Sequence, residues 1–526
     1  MRAGARRVGQ MGDSIFVGGG GEAYAVPQHL ALNFGNRHGL IAGATGTGKT
    51  ITLQILAEGF SAAGVSVFLA DVKGDLSGIG AAGSETSKMN APFQARAKQI
   101  GYELTYRTFP VTYWDVFGQQ GHPIRATVAE MGPLLLARIL DLNDAQEGVL
   151  NVAFRLADEE QLPLVDMKDL QALMVFIGQH AGEISTRYGL VATTSIGAIQ
   201  RQLLVLENAG AMPLFGEPAL ELADLMRVDA SGAGMINVLA ADKLMLQPKL
   251  YAIFLLWLLS EMFENLPEVG DPDKPKLVFF FDEAHLLFND APKALVSKVE
   301  QVARLIRSKG VGVYFITQNP ADVPDTILGQ LGNRVQHALR AFTAKDQKDL
   351  AKAAETYRPN PRFKIEDTIR DVGTGEAVTS FLQDRGVPGV AERTLIRSPS
   401  SQVGPIDAGQ RKALMDASPM AAKYDLTVDR DSAYERLRAR TTQAAPRAAP
   451  GEVVWPGQTQ TAPTEGFNNA KRIGTNAPDK PGPAPKPAAR HSDTLAETMM
   501  KSFGRQFANQ AGREVVRGIL GSILKR

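Results

Sequence analysis

The chain has no cysteine among its 526 residues, which excludes disulfide frameworks and thiolate metal sites and fits a cytoplasmic setting. It also lacks an excess of either charge. Lys and Arg number 57 against 56 Asp and Glu, a net +1, so the overall balance does not announce a polyanionic partner. Any nucleic-acid surface has to come from local charge. No apolar run is long enough to cross a membrane. The richest, Tyr251–Leu259, meets Ser260 and Glu261 at once, well short of the roughly 20 residues a spanning helix needs; it reads as a buried helix. The first residues, Met1-Arg-Ala-Gly-Ala-Arg-Arg, lack the apolar stretch of a signal peptide, and Met11-Gly-Asp-Ser-Ile-Phe-Val reads more like the start of a fold. What remains is globular: 44% hydrophobic, 21% charged, and long enough for two or three domains.

The most informative stretch present is Gly43-Ala44-Thr45-Gly46-Thr47-Gly48-Lys49-Thr50. It matches the phosphate-binding loop pattern at every required position, between a strand end (Leu40–Ala42) and a segment of helical apolar spacing (Ile51–Gly59). The glycines let backbone N–H groups converge on phosphate oxygens where the helix dipole favours an anion. Lys49 is then placed to reach the β- and γ-phosphates, and Thr50 to ligate Mg²⁺. The motif predicts a nucleoside triphosphate site, with ATP the expected ligand.

Apolar runs at Leu40–Ala42, Val65–Ala70, Gly234–Leu239, Leu277–Phe281 and Val311–Thr317 recur with helical stretches between them. The pattern predicts an α/β fold with a mostly parallel sheet flanked by helices. Leu277-Val-Phe-Phe-Phe281 is continuous rather than alternating, as expected of a strand buried on both faces. Residues 13–400 read as one ATPase unit, interrupted at about 125–230 by a locally acidic helical insertion (Asp141, Asp144, Glu147, Asp158, Glu159, Glu160). Residues 401–440 read as a helical extension. Residues 441–490 form a Pro/Ala-rich linker too poor in apolar side chains to pack. Residues 491–526 have the apolar spacing of an amphipathic helix, with Leu495, Met499, Phe503 and Phe507 mainly on one face. From Arg436 onward 15 Lys and Arg stand against 6 Asp and Glu. This basic helix could dock on its own domain or a sister subunit, lie on a membrane surface, or act as a nucleic-acid arm.

The second half of the site is Phe281-Asp282-Glu283-Ala-His285. An acidic residue at the C-terminal end of a buried parallel strand sits at the crevice where open α/β sheets bind ligands. Asp282 is expected to hold Mg²⁺, and Glu283 to polarise the attacking water as general base. His285 either senses the γ-phosphate or plays a structural part. The next strand ends in Thr317-Gln318-Asn319-Pro320. There the Gln318 amide can hydrogen-bond the γ-phosphate or the lytic water.

Together these elements resemble the HerA/FtsK superfamily of ring-forming, DNA-pumping ATPases, and within it the HerA-like bacterial ATPases that carry only the C-terminal motor domain. The residues that narrow the match are Ile316-Thr-Gln-Asn-Pro320 and Leu331-Gly-Asn-Arg-Val-Gln-His-Ala-Leu-Arg340. The resemblance implies a homo-hexamer acting on double-stranded DNA. It also implies an arginine placed just before the sensor strand that reaches the neighbour's nucleotide, a position Arg307 occupies here. Arg304, Arg334 and Arg340 are alternatives. About 40 residues precede the loop, so the N-terminal β-barrel of full HerA proteins is not expected. A polypeptide cargo, a regulatory switch and a nucleotide-binding scaffold are the competing readings. Asp71-Val-Lys73-Gly-Asp-Leu-Ser77 and the segment after Gln318 are the loops expected to meet the cargo.

Overall fold

The apolar runs build the middle of a 12-stranded sheet. The structure, a computed structural model, describes residues 6–7, 13–288 and 293–444. The sheet strands are β1 (Ser14–Gly20), β2 (Val26–Ala31), β3 (Gly39–Ala42), β4 (Ser66–Asp71), β5 (Val111–Asp115) and β6 (His122–Pro123). They continue with β7 (Ile236–Ala240), β8 (Leu277–Phe281), β9 (Val311–Thr317), β10 (Asn333–Gln336), β11 (Glu376–Ser380) and β12 (Glu392–Ile396). Their spatial order is β2-β1-β12-β11-β10-β3-β9-β8-β4-β7-β5-β6. Every neighbouring pair from β10 to β6 is parallel, while β10, β11, β12, β1 and β2 pair antiparallel in turn.

Side-chain alternation assigns the two faces. Along β8, Leu277, Phe279 and Phe281 enter one apolar cluster, and Val278 and Phe280 enter the other. The strand is apolar throughout because both faces are covered. One cluster holds helix α1 (Lys49–Ala62), through Leu53, Ile55, Leu56 and Phe60. The opposite face carries the helical insertion: α2 (Val128–Ile139), α3 (Asp144–Glu159), α4 (Met167–Gln179), α5 (Ala181–Tyr188), α6 (Thr193–Asn208) and the short α7 (Leu222–Leu225). Capping boxes at Thr127/Glu130 and Asn143/Gln146 start α2 and α3 by satisfying end N–H groups. On the same face lies α8 (Pro248–Asn265), in which Tyr251–Leu259 is buried as its composition predicts.

The strand readings at Leu277–Phe281 and Val311–Thr317 match their elements, and the other three differ by one or two residues at their ends. Among the described residues no single helix is long and apolar enough to cross a membrane; the one bent pair, α5 with α6, turns by 105°. Helix α9 (Lys293–Leu305) connects β8 to β9, and α10 (Ala344–Glu355) lies between β10 and β11. They are followed by α11 (Ala408–Asp416), α12 (Pro419–Tyr424) and α13 (Ala433–Ala444). Helices α12 and α13 return to the insertion side, where Tyr424 packs edge-on to Trp114 at 5.2 Å and the Ser432 hydroxyl donates to Asp169 at 2.5 Å, whereas α11 sets Leu414 and Met415 against the cluster that holds α1. Beyond its first four residues the 441–490 linker lies outside the described residues, as does the 491–526 helix.

Candidate active site

Parallel pairing brings the C-terminal ends of β3, β9, β8 and β4 to one edge of the sheet, where their loops meet. The loop after β3 turns at Gly43 (φ +152°) and Gly48 (φ +117°) before α1 begins at Lys49. A side chain at Gly43 would put its Cβ 2.5 Å from that of His337, so only glycine fits there. Thr45 and Gly46 stay exposed at the tip. Lys49 is buried and folds back over the loop, its Nζ donating to the carbonyls of Gly43 (2.6 Å) and Ala44 (3.1 Å). Burial holds its pKa below the usual lysine value, while Glu283 and Asp282 pull the other way. A desolvated ammonium at a helix N-terminus is chemistry suited to a phosphate chain.

Asp282 follows β8 directly and is 7% exposed. Burial first, and then the adjacent Glu283 charge, raise its pKa to about 6. A buried carboxylate in this condition is stabilised by a cation. A carboxylate with a hydroxyl such as that of Thr50, in the first turn of α1, is the sparse oxygen set that Mg²⁺ accepts when phosphates supply the rest. Glu283 sits in the left-handed region (φ +49°, ψ +49°), which turns its side chain away from the path of the strand. The Gln318 amide, at the end of β9, donates to Glu283 Oε2 at 3.4 Å, and its carbonyl accepts from Thr45 Oγ1 at 3.4 Å. Gln318 therefore spans the loop tip and the acidic residue. The His285 Nδ1 lies 3.2 Å from the same Glu283 oxygen.

The loop after β4 also reaches the site. Lys73, read from sequence as part of a cargo loop, is turned onto the site and donates to Glu283 Oε1 at 2.5 Å. Burial works to raise the Glu283 pKa, but Lys73, Gln318 and His285 together hold it below the usual carboxylate value. Asp71, on the last position of β4, is pushed up to about 7 by burial and by the charges of Asp75 and Asp282. The Asp-Val-Lys-Gly-Asp order was visible in the chain. What it touches depends on β4 lying beside β8, which no local pattern encodes. His337 was also missed: it braces the loop helix, with Nε2 2.8 Å from Thr52 Oγ1 and Nδ1 2.8 Å from the Glu376 carbonyl.

Beside the loop, Ala44, Gln318, Asn319, Arg340, Phe342 and Asp349 line a cavity of about 400 Å³. Asn319 donates to Asp349 at 2.9 Å, which links the tip of β9 to α10. Arg307 lies elsewhere. It precedes β9 at the N-terminal edge of the sheet, opposite its own phosphate loop, and pairs with Asp271 at 2.7 Å. Arg37, at the start of the neighbouring β3, reaches the same Asp271 oxygen at 3.5 Å. Arg304 ends α9, and Arg334 donates to the carbonyls of Leu331 and Leu328. Of the arginine candidates, Arg340 alone lines the cavity beside the phosphate loop.

Comparison with curated protein sequences finds no match. Among solved structures, the bacterial conjugative coupling protein TrwB is similar over 75% of this chain and 94% of its own, with 14% identity and a TM-score of 0.46. VirB4 of Thermoanaerobacter pseudethanolicus is similar over 75% of this chain and 98% of its own, with 14% identity and a TM-score of 0.45. TrwB in complex with ADP and Mg²⁺ gives 16% identity and a TM-score of 0.40 over 72% of this chain and 90% of its own. The family model described as helicase HerA-like C-terminal matches residues 20–526. With its phosphate loop, acidic strand end and sensor strand on one edge of a mostly parallel sheet, the chain belongs to the HerA-like C-terminal family of P-loop ATPases.

Proposed function

We propose that the protein is an ATP-hydrolysing ring motor of the HerA/FtsK type that works in the cytoplasm and translocates or unwinds double-stranded DNA. One observation carries the hydrolytic part. Lys49, Asp282–Glu283 and Gln318 come from three adjacent parallel strands and converge on one edge of the sheet. The Gly43–Gly48 loop binds the phosphates, and Lys49 exchanges its loop carbonyls for β- and γ-oxygens. Thr50 and Asp282 would hold Mg²⁺, which would offset charge on the transferred phosphoryl oxygens. Glu283 orients and polarises the attacking water, and Gln318 reads the γ-position through its links to Thr45 and Glu283. Arg307 faces away from its own loop. It acts on a neighbour in a homo-hexamer, where a guanidinium stabilises developing charge.

The acidic helical insertion favours a second reading, in which the same motor moves a polypeptide or serves as a regulatory switch. ATP turnover and oligomer mass, each measured with and without duplex DNA, separate the two. A DNA motor should turn over ATP faster with duplex and lose that stimulation steeply as salt rises. Turnover indifferent to nucleic acid removes the DNA reading and leaves the hydrolytic one. Arg307→Ala protein mixed with Lys49→Ala protein should show rates that independent monomers cannot give.

A further inference from the structure

We propose that Lys73 is a positioning residue that occupies Glu283 and thereby restrains ATP turnover. This rests on the reading of Glu283 as the group that orients the lytic water. A carboxylate in that role needs an oxygen lone pair open to water. Here Oε1 accepts from Lys73 at 2.5 Å, and Oε2 lies 3.4 Å from the Gln318 amide and 3.2 Å from His285 Nδ1. Of these three contacts, Lys73 brings the one permanent cation and the shortest distance. It is also the most weakly anchored of the partners.

Lys73 is carried on a turn rather than on a strand. Gly74 follows with φ +75° and no neighbouring heavy atom within 4 Å of where a Cβ would stand. The turn is closed from behind, by Leu76 N–H donating to Asp71 at 3.1 Å and the Ser77 hydroxyl donating to the Gly74 carbonyl at 3.2 Å. The Lys73 side chain is 47% exposed, whereas that of Glu283 is 6% exposed. The lysine can therefore swing into solvent without disturbing the core, and the carboxylate cannot. An ion pair half open to water is weak, so it breaks at small cost. That suits a restraint that is released and remade in each cycle, and does not suit a structural staple. The loop Asp71–Ser77 thus regulates the base from the adjacent strand.

The test is steady-state ATP turnover of the full chain with no cargo added. Lys73→Met should raise kcat about three- to fivefold, the size expected from losing a half-exposed ion pair, while KM for ATP stays within about twofold. Lys73→Arg should restore the low rate. Lys73→Met combined with Glu283→Gln should be as slow as Glu283→Gln alone, because the gain passes through that carboxylate. If the Met variant does not fold, Lys73→Gln should give the same rise. A kcat at or below wild type in the folded variant overturns the proposal. Should Glu283→Gln alone hydrolyse ATP at the wild-type rate, the base assignment itself fails, and that outcome is distinct from any result at Lys73.

Discussion

Glu58 and Glu283 both carry short ion pairs, and their surroundings are opposite. Glu58, on the inner face of α1, meets Arg397 at 3.0 Å with the two side chains 1% and 4% exposed. Its other oxygen accepts from the Ser400 and Ser401 N–H groups and from the Ser401 hydroxyl, all within 2.8 Å. Arg397 also donates to the Phe16, Ile55 and Ser398 carbonyls. Each charge is dry and fully hydrogen-bonded, and the pair fastens the phosphate-loop helix to the strands β1 and β12. Glu283 and Lys73 share one short contact, with Lys73 half in solvent and three further carboxylates, Asp71, Asp75 and Asp282, close enough to perturb one another. One pair is built to stay and the other to change partners. Burial and completeness of hydrogen bonding, rather than distance, tell them apart.

The contrast can be broken most directly at the scaffold pair. Arg397→Leu leaves Glu58 as a buried charge without its counter-ion, and should cost about 3–5 kcal/mol of stability in denaturant unfolding. A loss no larger than that of Lys73→Met would erase the distinction. At the site the effect should fall on rate instead. Glu283→Gln should keep ATP binding and a near wild-type melting temperature while turnover drops about 10²–10³-fold, the scale of removing one transition-state electrostatic contact. Lys49→Ala should instead lose nucleotide affinity, seen as the loss of ATP-induced thermal stabilisation.

The residues that converge on this edge of the sheet were legible because each carries a local signature. Gly43–Thr50 needs its glycines for φ values that other residues avoid, and Phe281-Asp282-Glu283 marks a doubly buried strand that ends in charge. The strands β8 and β9 could be read because apolar side chains on both faces leave no polar alternation. The antiparallel strands β11, β12, β1 and β2 were not legible. Threonine, serine, glycine and charged residues interrupt their apolar pattern, as in Ser14–Gly20, Glu376–Ser380 and Glu392–Ile396. Their burial comes from tertiary cover rather than from composition. Lys73 and His337 were missed for a related reason. Each acts across a strand boundary, and the order β10-β3-β9-β8-β4 that creates those contacts is set by the packing of the whole sheet.

The smaller effect lies in the pH dependence of stability, and it sharpens the comparison because only the site has negative charge to spare. Asp71 has a folded pKa of about 7, above the roughly 3.9 of an unfolded aspartate. Between these values the folded chain binds the proton more tightly than the unfolded chain, so stability falls as pH rises through the interval and the loss is complete above about pH 7. Below about pH 4 both states are protonated and the term vanishes. Asp71→Asn removes the titration but keeps an oxygen to accept from Leu76 N–H, the contact now held by Oδ2, whereas Oδ1 is buried without a partner among the described residues. The variant should therefore match wild type near pH 4 and exceed it by about 1–2 kcal/mol near pH 8. Denaturant unfolding at the two pH values measures this difference. A difference that does not widen with pH would mean that Asp71 is ionised at little cost, and that Lys73 serves the whole acidic cluster rather than Glu283.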